Sequence, residues 1–134
     1  MRVFLDSNIL FAAVQSPEGK AASIVRDAGK LRITVLTCQF AVEEATRNLK
    51  LKSPGRAGGL APLLSRVEIV PTAGAGRCPV PLPAKDVPIL LSALAIEATH
   101  LLTGDIRDFG PYMNKPSRTG GIVIQSVDDF LRSL

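Results

Sequence analysis

The chain has 134 residues, of which 46% are hydrophobic and only 4% are aromatic. This length is typical of one domain, so we expect a single domain over residues 1–134. Its core must consist of Ala, Val, Ile and Leu, and it is large enough to fold without disulfides or a structural metal. Two cysteines and a single histidine exclude a disulfide framework and a zinc site. The composition therefore predicts a reduced, cytoplasmic protein.

Positive charge is concentrated in the middle of the chain, although the net charge is only +4. Between Glu44 and Asp86 there are seven basic residues and one acidic residue, Glu68, so that stretch carries a net charge of +6. A basic surface attracts polyanions because it raises the local concentration of phosphate groups. The alternative interpretation is a solvated surface that has no partner.

Two apolar stretches resemble a targeting or membrane segment, but neither has the continuity that such a segment needs. Polar residues at 6–8 interrupt the stretch 1–14, and Glu97 and His100 interrupt the stretch 87–102. The second stretch is also too short to span a bilayer. We therefore expect a soluble chain that makes no contact with a membrane.

Short apolar runs alternate along the chain with helical patterns of apolar residues. The predicted elements in chain order are a strand at 3–5, helices at 7–15 and 20–28, a strand at 33–36, a helix at 38–51, a strand at 67–70, a helix at 85–99, strands at 100–103 and 122–124, and a helix at 126–134. Segment 53–59 is predicted as a loop or weak helix, and segments 71–83 and 110–121 as loops. This alternation predicts an α/β fold, a three-layer α/β/α sandwich around a mostly parallel sheet.

Acidic residues stand at the boundaries of these elements. Asp6 and Asp105 each follow a predicted buried strand, and Asp86 begins the most regular helix. Because ligands bind outside the carboxyl edge of a parallel sheet, these carboxylates can share one site. The adjacent residues Glu43 and Glu44 fall on opposite flanks of the apolar stripe of their helix, so helical phase does not choose between them.

Each of these residues also has a purely structural interpretation. Asp6 and Asp86 could cap the helices that follow them, and Asp105 could be an ordinary turn residue. However, several carboxylates at one edge repel each other unless a cation neutralises them. Mg²⁺ and Mn²⁺ prefer oxygen ligands and can activate a water toward a phosphodiester. The chain contains no P-loop, nucleophile elbow or Cys/His pair, so metal-activated water is the favoured hydrolytic chemistry.

Several motifs, in order, resemble the PIN-domain ribonucleases, and the resemblance covers nearly the whole chain. They are the first strand followed by Asp6-Ser7-Asn8, similar to the D-[ST]-N signature; Glu44 with Leu49, similar to the acidic residue of the third helix; Asp86-Val87-Pro88-Ile89-Leu90, similar to D-x-P-x-L; Thr103-Gly104-Asp105 with Asp108-Phe109, similar to the second strand-end motif; and Ile122-Val123-Ile124 with Phe130-Leu131, similar to the closing strand and helix.

The resemblance implies an endoribonuclease that depends on Mg²⁺ or Mn²⁺. Its catalytic and metal-binding residues would be Asp6, Glu44, Asp86 and Asp105, with Asp108 as a fifth acidic ligand. In this hypothesis Asp6 and Asp105 anchor the metal, Glu44 and Asp86 complete its shell, and a bound water attacks phosphorus. Supporting polar residues would be Ser7, Asn8 and Thr103. As candidate contacts to RNA phosphates we assign Arg47, Lys50, Arg107 and Lys115.

Many domains of this family are VapC-like toxins of type II toxin–antitoxin pairs. The implied partners are therefore an RNA substrate, an antitoxin protein and a second copy of the chain in a homodimer. Gly- and Pro-rich segments at 53–62 and 71–83 depart from the family pattern, and this departure concerns the substrate groove and the partner surface.

Two other classes of protein compete with this hypothesis. One is a non-catalytic module that keeps the fold and acts through RNA or protein contacts. The other is a metal-dependent phosphatase or phosphoreceiver, which also has Asp at strand ends. The phosphatase is disfavoured because Asn8 stands where a haloacid-dehalogenase-type enzyme has its second Asp. The phosphoreceiver is disfavoured because neither an acidic pair near the first strand nor a lysine after a late strand stands out.

Overall fold

A sheet of five parallel strands forms the centre of the protein, and the computed structural model describes residues 1–134. The strands are β1 (Arg2–Leu5), β2 (Thr34–Cys38), β3 (Glu68–Val70), β4 (His100–Leu102) and β5 (Val123–Gln125). They lie in the order β3-β2-β1-β4-β5, and every neighbouring pair is parallel. Each connection between strands contains at least one helix, as parallel pairing requires.

The helices cover the sheet, and the predicted three-layer α/β/α sandwich is confirmed. They are α1 (Ser7–Gln15), α2 (Lys20–Arg26), α3 (Ala28–Leu31), α4 (Gln39–Lys52), α5 (Leu60–Leu64), α6 (Val87–Ala95), α7 (Ile106–Phe109) and α8 (Val127–Ser133). Short 3₁₀ segments lie at Pro54–Gly59 and Gly110–Tyr112. None of the helices combines the length and apolarity that crossing a bilayer demands.

The core surrounds β1, the central strand. Val3, Phe4 and Leu5 are completely buried because helices pack on both faces of the sheet. This burial explains why the strand has a continuous apolar run rather than an alternating one. Leucine, isoleucine, valine and alanine form most of the rest of the core, as the composition predicts.

The order of the strands determines where a site can form. From β1 the chain first adds β2 and β3 on one side, and then returns to add β4 and β5 on the other side. The gap between the carboxyl ends of β1 and β4 is therefore a topological switch point, where open parallel sheets bind ligands. Leu5 pairs with Leu102 in register, so the residues that follow these two strands face each other.

The helix predicted at 85–99 is shorter than expected, because it begins at Val87 and ends at Ala95. Its end is a Schellman motif, in which the Ala98 N–H donates to the Ala93 carbonyl and the Glu97 N–H donates to the Leu94 carbonyl. Glu97 adopts the left-handed conformation, with φ of 55°. Glycine usually occupies this position, so the sequence carried no stop signal there.

Three further helices were not predicted. Helix α3 precedes β2, helix α5 precedes β3, and helix α7 with the 3₁₀ turn Gly110–Tyr112 follows β4. These helices have only four or five residues, which is too few for an apolar periodicity to be visible.

A pair of leucine substitutions tests the assignment of the core. Leu101 is completely buried in β4, whereas Leu51 on α4 is 81% exposed. We expect Leu101→Ala to lower the free energy of unfolding by about 2–5 kcal/mol, because it leaves a cavity. Leu51→Ala should change it by less than about 0.5 kcal/mol. Urea unfolding measures both values, and similar losses in the two variants would contradict this description of the core.

Candidate metal centre

Asp6 follows β1 and lies at the carboxyl edge of the sheet with only 3% of its surface exposed. Its Oδ1 accepts a hydrogen bond of 2.7 Å from the Ser7 N–H, so Asp6 does cap α1. Its Oδ2 instead accepts a hydrogen bond of 2.8 Å from the Thr103 hydroxyl, which comes from the end of β4. Oδ1 therefore caps the helix, and Oδ2 faces the switch point between β1 and β4.

Thr103 and Asn8 connect the ends of β1 and β4. The Thr103 hydroxyl also accepts a hydrogen bond from the Asp105 N–H, at 3.1 Å. The Asn8 amide donates to Thr103 Oγ1 at 3.3 Å, and its oxygen accepts a hydrogen bond of 2.8 Å from the Gly104 N–H. Thr103 and Asn8, two of the predicted supporting residues, thus belong to one hydrogen-bond network, which fixes the positions of Asp6 and Asp105.

Ser7 contributes differently from the other two predicted supporting residues. Its backbone N–H makes the short bond to Asp6, whereas its hydroxyl lies 3.5 Å from Asp6 Oδ1. That distance is at the limit of a hydrogen bond. The side chain of Ser7 is buried, and its hydroxyl contributes little to the orientation of the carboxylate.

Asp86 is the residue directly before α6, the position from which a side chain can cap the helix, but its side chain makes no capping hydrogen bond. Its backbone is already helical, with φ of −98° and ψ of −21°, and its carboxylate makes no bond to the helix N–H groups. Both carboxylate oxygens instead accept hydrogen bonds from the Lys85 ammonium, at 3.1 and 3.0 Å. The capping interpretation of Asp86 is therefore wrong.

Asp105 and Asp108 come together at the start of α7. Asp105 caps this helix, because its Oδ1 accepts a hydrogen bond of 3.0 Å from the Asp108 N–H. The second oxygen of Asp105 and Oδ2 of Asp108 each lie 3.2 Å from Lys85 Nζ. Asp105 is thus more than an ordinary turn residue, since it stabilises α7 and also faces the carboxylate cluster.

Asp86, Asp105 and Asp108 form the set of residues best placed to bind one metal ion. Each offers a carboxylate oxygen, and these oxygens lie within 4.8 Å of one another. Ligands on opposite sides of Mg²⁺ are about 4.2 Å apart, so only a small movement or a bridging water is needed. An all-oxygen donor set suits a hard dication such as Mg²⁺ or Mn²⁺. We refer to these three residues as the aspartate triad.

Asp6 and Glu44, two members of the predicted quartet, are not part of the aspartate triad, although Asp6 is close enough to Asp86 and Glu44 for their charges to act on it. Burial raises the pKa of Asp6 to about 6, although hydrogen bonds from Thr103 and Ser7 oppose this, and the carboxylates of Asp86 and Glu44 raise it further. Glu44 is half-buried on α4, whereas Glu43 is exposed. The structure therefore distinguishes the two glutamates, since Glu44 is the one whose charge reaches the site.

The carboxylates of the aspartate triad differ in their affinity for a proton. Burial raises the pKa of Asp86, with the Lys85 ammonium opposing it and the charges of Asp105 and Asp108 adding to it. Burial also acts to raise the pKa of Asp105, but the hydrogen bond from the Asp108 N–H and the charge of Lys85 outweigh it, so this pKa is lowered. The cluster therefore holds negative charges close together, so a cation such as the Lys85 ammonium stabilises it.

The four basic residues assigned to RNA are all exposed, but only Arg107 touches the cluster. Its Nε lies 3.9 Å from Asp108 Oδ1, and its side chain is 93% exposed. Helix α4 begins at the carboxyl edge and runs away from it, so Arg47 lies about one turn beyond Glu44 and Lys50 nearly two turns beyond. Lys115 lies in the loop before β5 and has no ion pair with the site.

Lys85 is the residue at the site that sequence reasoning missed. In the sequence it was only one of seven basic residues in the stretch of net charge +6. Its position directly before Asp86 was the available signal. Because Lys85 is adjacent in sequence to a proposed metal ligand and has the opposite charge, its ammonium can reach the same site.

Comparison with known proteins adds the identity of the fold. No protein-family model and no curated protein matches this sequence. A chain in the structure of VapBC2 from Rickettsia felis bound to a DNA fragment from their promoter is 17% identical, with a TM-score of 0.68, and the match covers 94% of this chain and 98% of that chain. A chain of VapBC-1 from nontypeable Haemophilus influenzae is 14% identical, with a TM-score of 0.60 and coverages of 96% and 99%.

These similarities extend over whole chains, so they concern the complete fold rather than a shared substructure. The protein therefore shares its fold with these chains of two VapBC structures. The resemblance that the motifs indicated is confirmed at the level of the fold.

The pKa of Asp6 predicts how the stability of the metal-free protein depends on pH. The folded chain, with a pKa of about 6, holds this proton more tightly than the unfolded chain, whose value is near 3.8. Ionisation of Asp6 therefore costs stability as the pH rises from about 4 to about 6, by about 3 kcal/mol. We expect Asp6→Asn to lack this loss, because asparagine does not ionise.

Urea unfolding of both proteins in the presence of a chelator tests this prediction. The free energy of unfolding of Asp6→Asn, minus that of the unmodified chain, should increase across the same pH window. Titrating groups that do not interact with Asp6 contribute equally to both proteins, so their effect cancels. A difference that stays constant with pH would show that the Asp6 carboxylate is not buried as described.

Proposed function

We propose that this protein is a Mg²⁺- or Mn²⁺-dependent endoribonuclease and the toxin of a type II toxin–antitoxin pair. One observation carries the proposal. The aspartate triad lies at the topological switch point of a PIN-like fold, with oxygens within 4.8 Å of one another and with Asp6 close enough to Asp86 for their charges to interact. The fold and the carboxylate set support the same function independently.

In this proposal the aspartate triad would hold the ion, and Asp6 and Glu44 would complete the negative site around it. The bound ion would supply an activated water and would stabilise the charge that develops on the phosphodiester. Thr103 and Asn8 position the carboxylates, because they connect the two strand ends. Arg107 is exposed at the rim, where its guanidinium can contact a phosphate.

The proposed partners are RNA, an antitoxin protein and a second copy of the chain. The similarity to chains of two VapBC structures supports the antitoxin. A groove between α1, α2 and α5 offers a surface for it, lined by apolar side chains such as Val14, Val25 and Leu63. Arg26 and Arg66 stand in the same groove, so it suits a segment that carries both apolar and acidic residues.

Substitution of the aspartate triad tests the nuclease. We expect Asp86→Asn and Asp105→Asn each to reduce Mn²⁺-dependent cleavage of single-stranded RNA by about a hundredfold or more, because the ion loses a charged ligand. Cleavage by the unmodified chain should stop in the presence of a chelator. The assay follows a labelled RNA of mixed sequence on a denaturing gel.

Asp27→Asn is the matched control, because it removes the same charge at the junction of α2 and α3, away from the cluster. It should cleave RNA as the unmodified chain does. Full activity in Asp105→Asn would remove the proposal. Binding of RNA without cleavage, and without any need for metal, would instead favour the non-catalytic module.

A further inference from the structure

Lys85 contacts every member of the aspartate triad at once. Its Nζ lies 3.0 Å from Asp86, 3.2 Å from Asp105 and 3.2 Å from Asp108. A lysine ammonium has three N–H donors, so each carboxylate can receive one of them. The ammonium therefore lies among the same oxygen atoms that would bind a metal ion.

An ammonium and a dication cannot share this position. A metal ion bound by these oxygens would lie about 2.1 Å from each of them. Such an ion would overlap the Lys85 nitrogen, which lies 3.0–3.2 Å from the same carboxylates. Two cations at such a short separation also repel each other strongly. Binding of the metal therefore requires the Lys85 side chain to move away from the carboxylates.

The structure leaves Lys85 free to make this movement. Its side chain is 55% exposed, whereas the side chains of the aspartate triad are only 6–17% exposed. Lys85 lies in the turn before α6 and has a flexible stem of four carbons. The lysine can thus swing into solvent while the carboxylates keep their places.

The charge of Lys85 is secure in the metal-free protein. Partial burial alone would lower the pKa of the ammonium, but the hydrogen bonds and charges of the aspartate triad raise it above its ordinary value. Lys85 is therefore a permanent cation at neutral pH. Without it, the three carboxylates would face each other with no opposing charge in contact with all of them.

We propose that Lys85 is a built-in counterion, which neutralises the aspartate triad in the metal-free protein and competes with the divalent cation for it. The inference rests on the proposed function, because it concerns the same carboxylates. It goes further because it assigns a role in the metal-free protein to Lys85, which contacts all three carboxylates. Metal binding is then an exchange of one cation for another, and Lys85 sets the metal concentration at which the exchange occurs.

Calorimetric titration of the full chain with Mn²⁺ tests the competition. We expect Lys85→Gln to bind Mn²⁺ about tenfold or more tightly than the unmodified chain, because the competing charge is gone. Lys85→Arg keeps the charge and should stay within about threefold of the unmodified chain. Lys30→Gln is the matched control, since it removes the same charge from α3 and should leave the affinity unchanged.

A second measurement needs no substitution, and so it does not depend on whether Lys85→Gln folds. In ¹⁵N-labelled protein with chelator, the Lys85 ammonium should give an NMR signal protected from solvent exchange. Saturation with Mg²⁺ should remove that protection as the side chain enters solvent. A Lys85 signal that Mg²⁺ does not alter would overturn the proposal.

The outcomes separate this inference from the proposed nuclease. If Lys85→Gln and the unmodified chain bind Mn²⁺ equally well, or if the variant binds it more weakly, the competition is disproved while the metal-dependent function stands. If neither protein binds Mn²⁺ at millimolar concentration, the inference and the metal-dependent function both fail. Tighter binding by Lys85→Gln alone supports the competition.

Discussion

Mutual repulsion among carboxylates at the carboxyl edge of the sheet is the constraint on which the site depends. The fold brings Asp6, Asp86 and Asp105 from three distant parts of the sequence to one edge, where burial raises the pKa of the first two. Charges that are close together in a partly desolvated place destabilise a protein unless something compensates them. Hydrogen bonds from Thr103 and the ammonium of Lys85 provide that compensation here.

The two oxygens of a carboxylate explain how structural and functional interpretations can both hold for one residue. Asp6 caps α1 with Oδ1 and faces β4 with Oδ2, and Asp105 caps α7 with Oδ1 and faces Lys85 with Oδ2. Helix capping uses one oxygen of each carboxylate, and the other oxygen makes contacts at the carboxyl edge of the sheet. Asp86 differs, because its carboxylate makes no capping bond and both of its oxygens accept hydrogen bonds from Lys85.

The low identity to the matching structures has a physical explanation. The core consists mainly of aliphatic side chains, which can replace one another as long as volume and pattern are kept. A fold of this kind therefore persists at 17% and 14% identity. The residues at the carboxyl edge are less replaceable, because each of them makes specific hydrogen bonds or carries a charge.

The sequence by itself determined the features that depend on local chemistry. Alternating apolar runs and helical stripes specified a parallel α/β sandwich, and the positions of Asp6 and Asp105 after buried strands placed both at one edge. The end of a strand is visible in the sequence because the run of hydrophobic residues gives way to polar residues there. The topology of parallel sheets then requires such ends to lie together.

Only the tertiary structure decided which side chains touch. It also distinguished Glu44 from Glu43, which helical phase had set symmetrically, because Glu44 is half-buried and its charge acts on Asp6, whereas Glu43 is exposed. It also joined Thr103 to Asp6 across 97 residues and directed Lys85 into the aspartate triad. These contacts depend on strand order and on the path of a turn, which are set by packing between distant segments rather than by local periodicity.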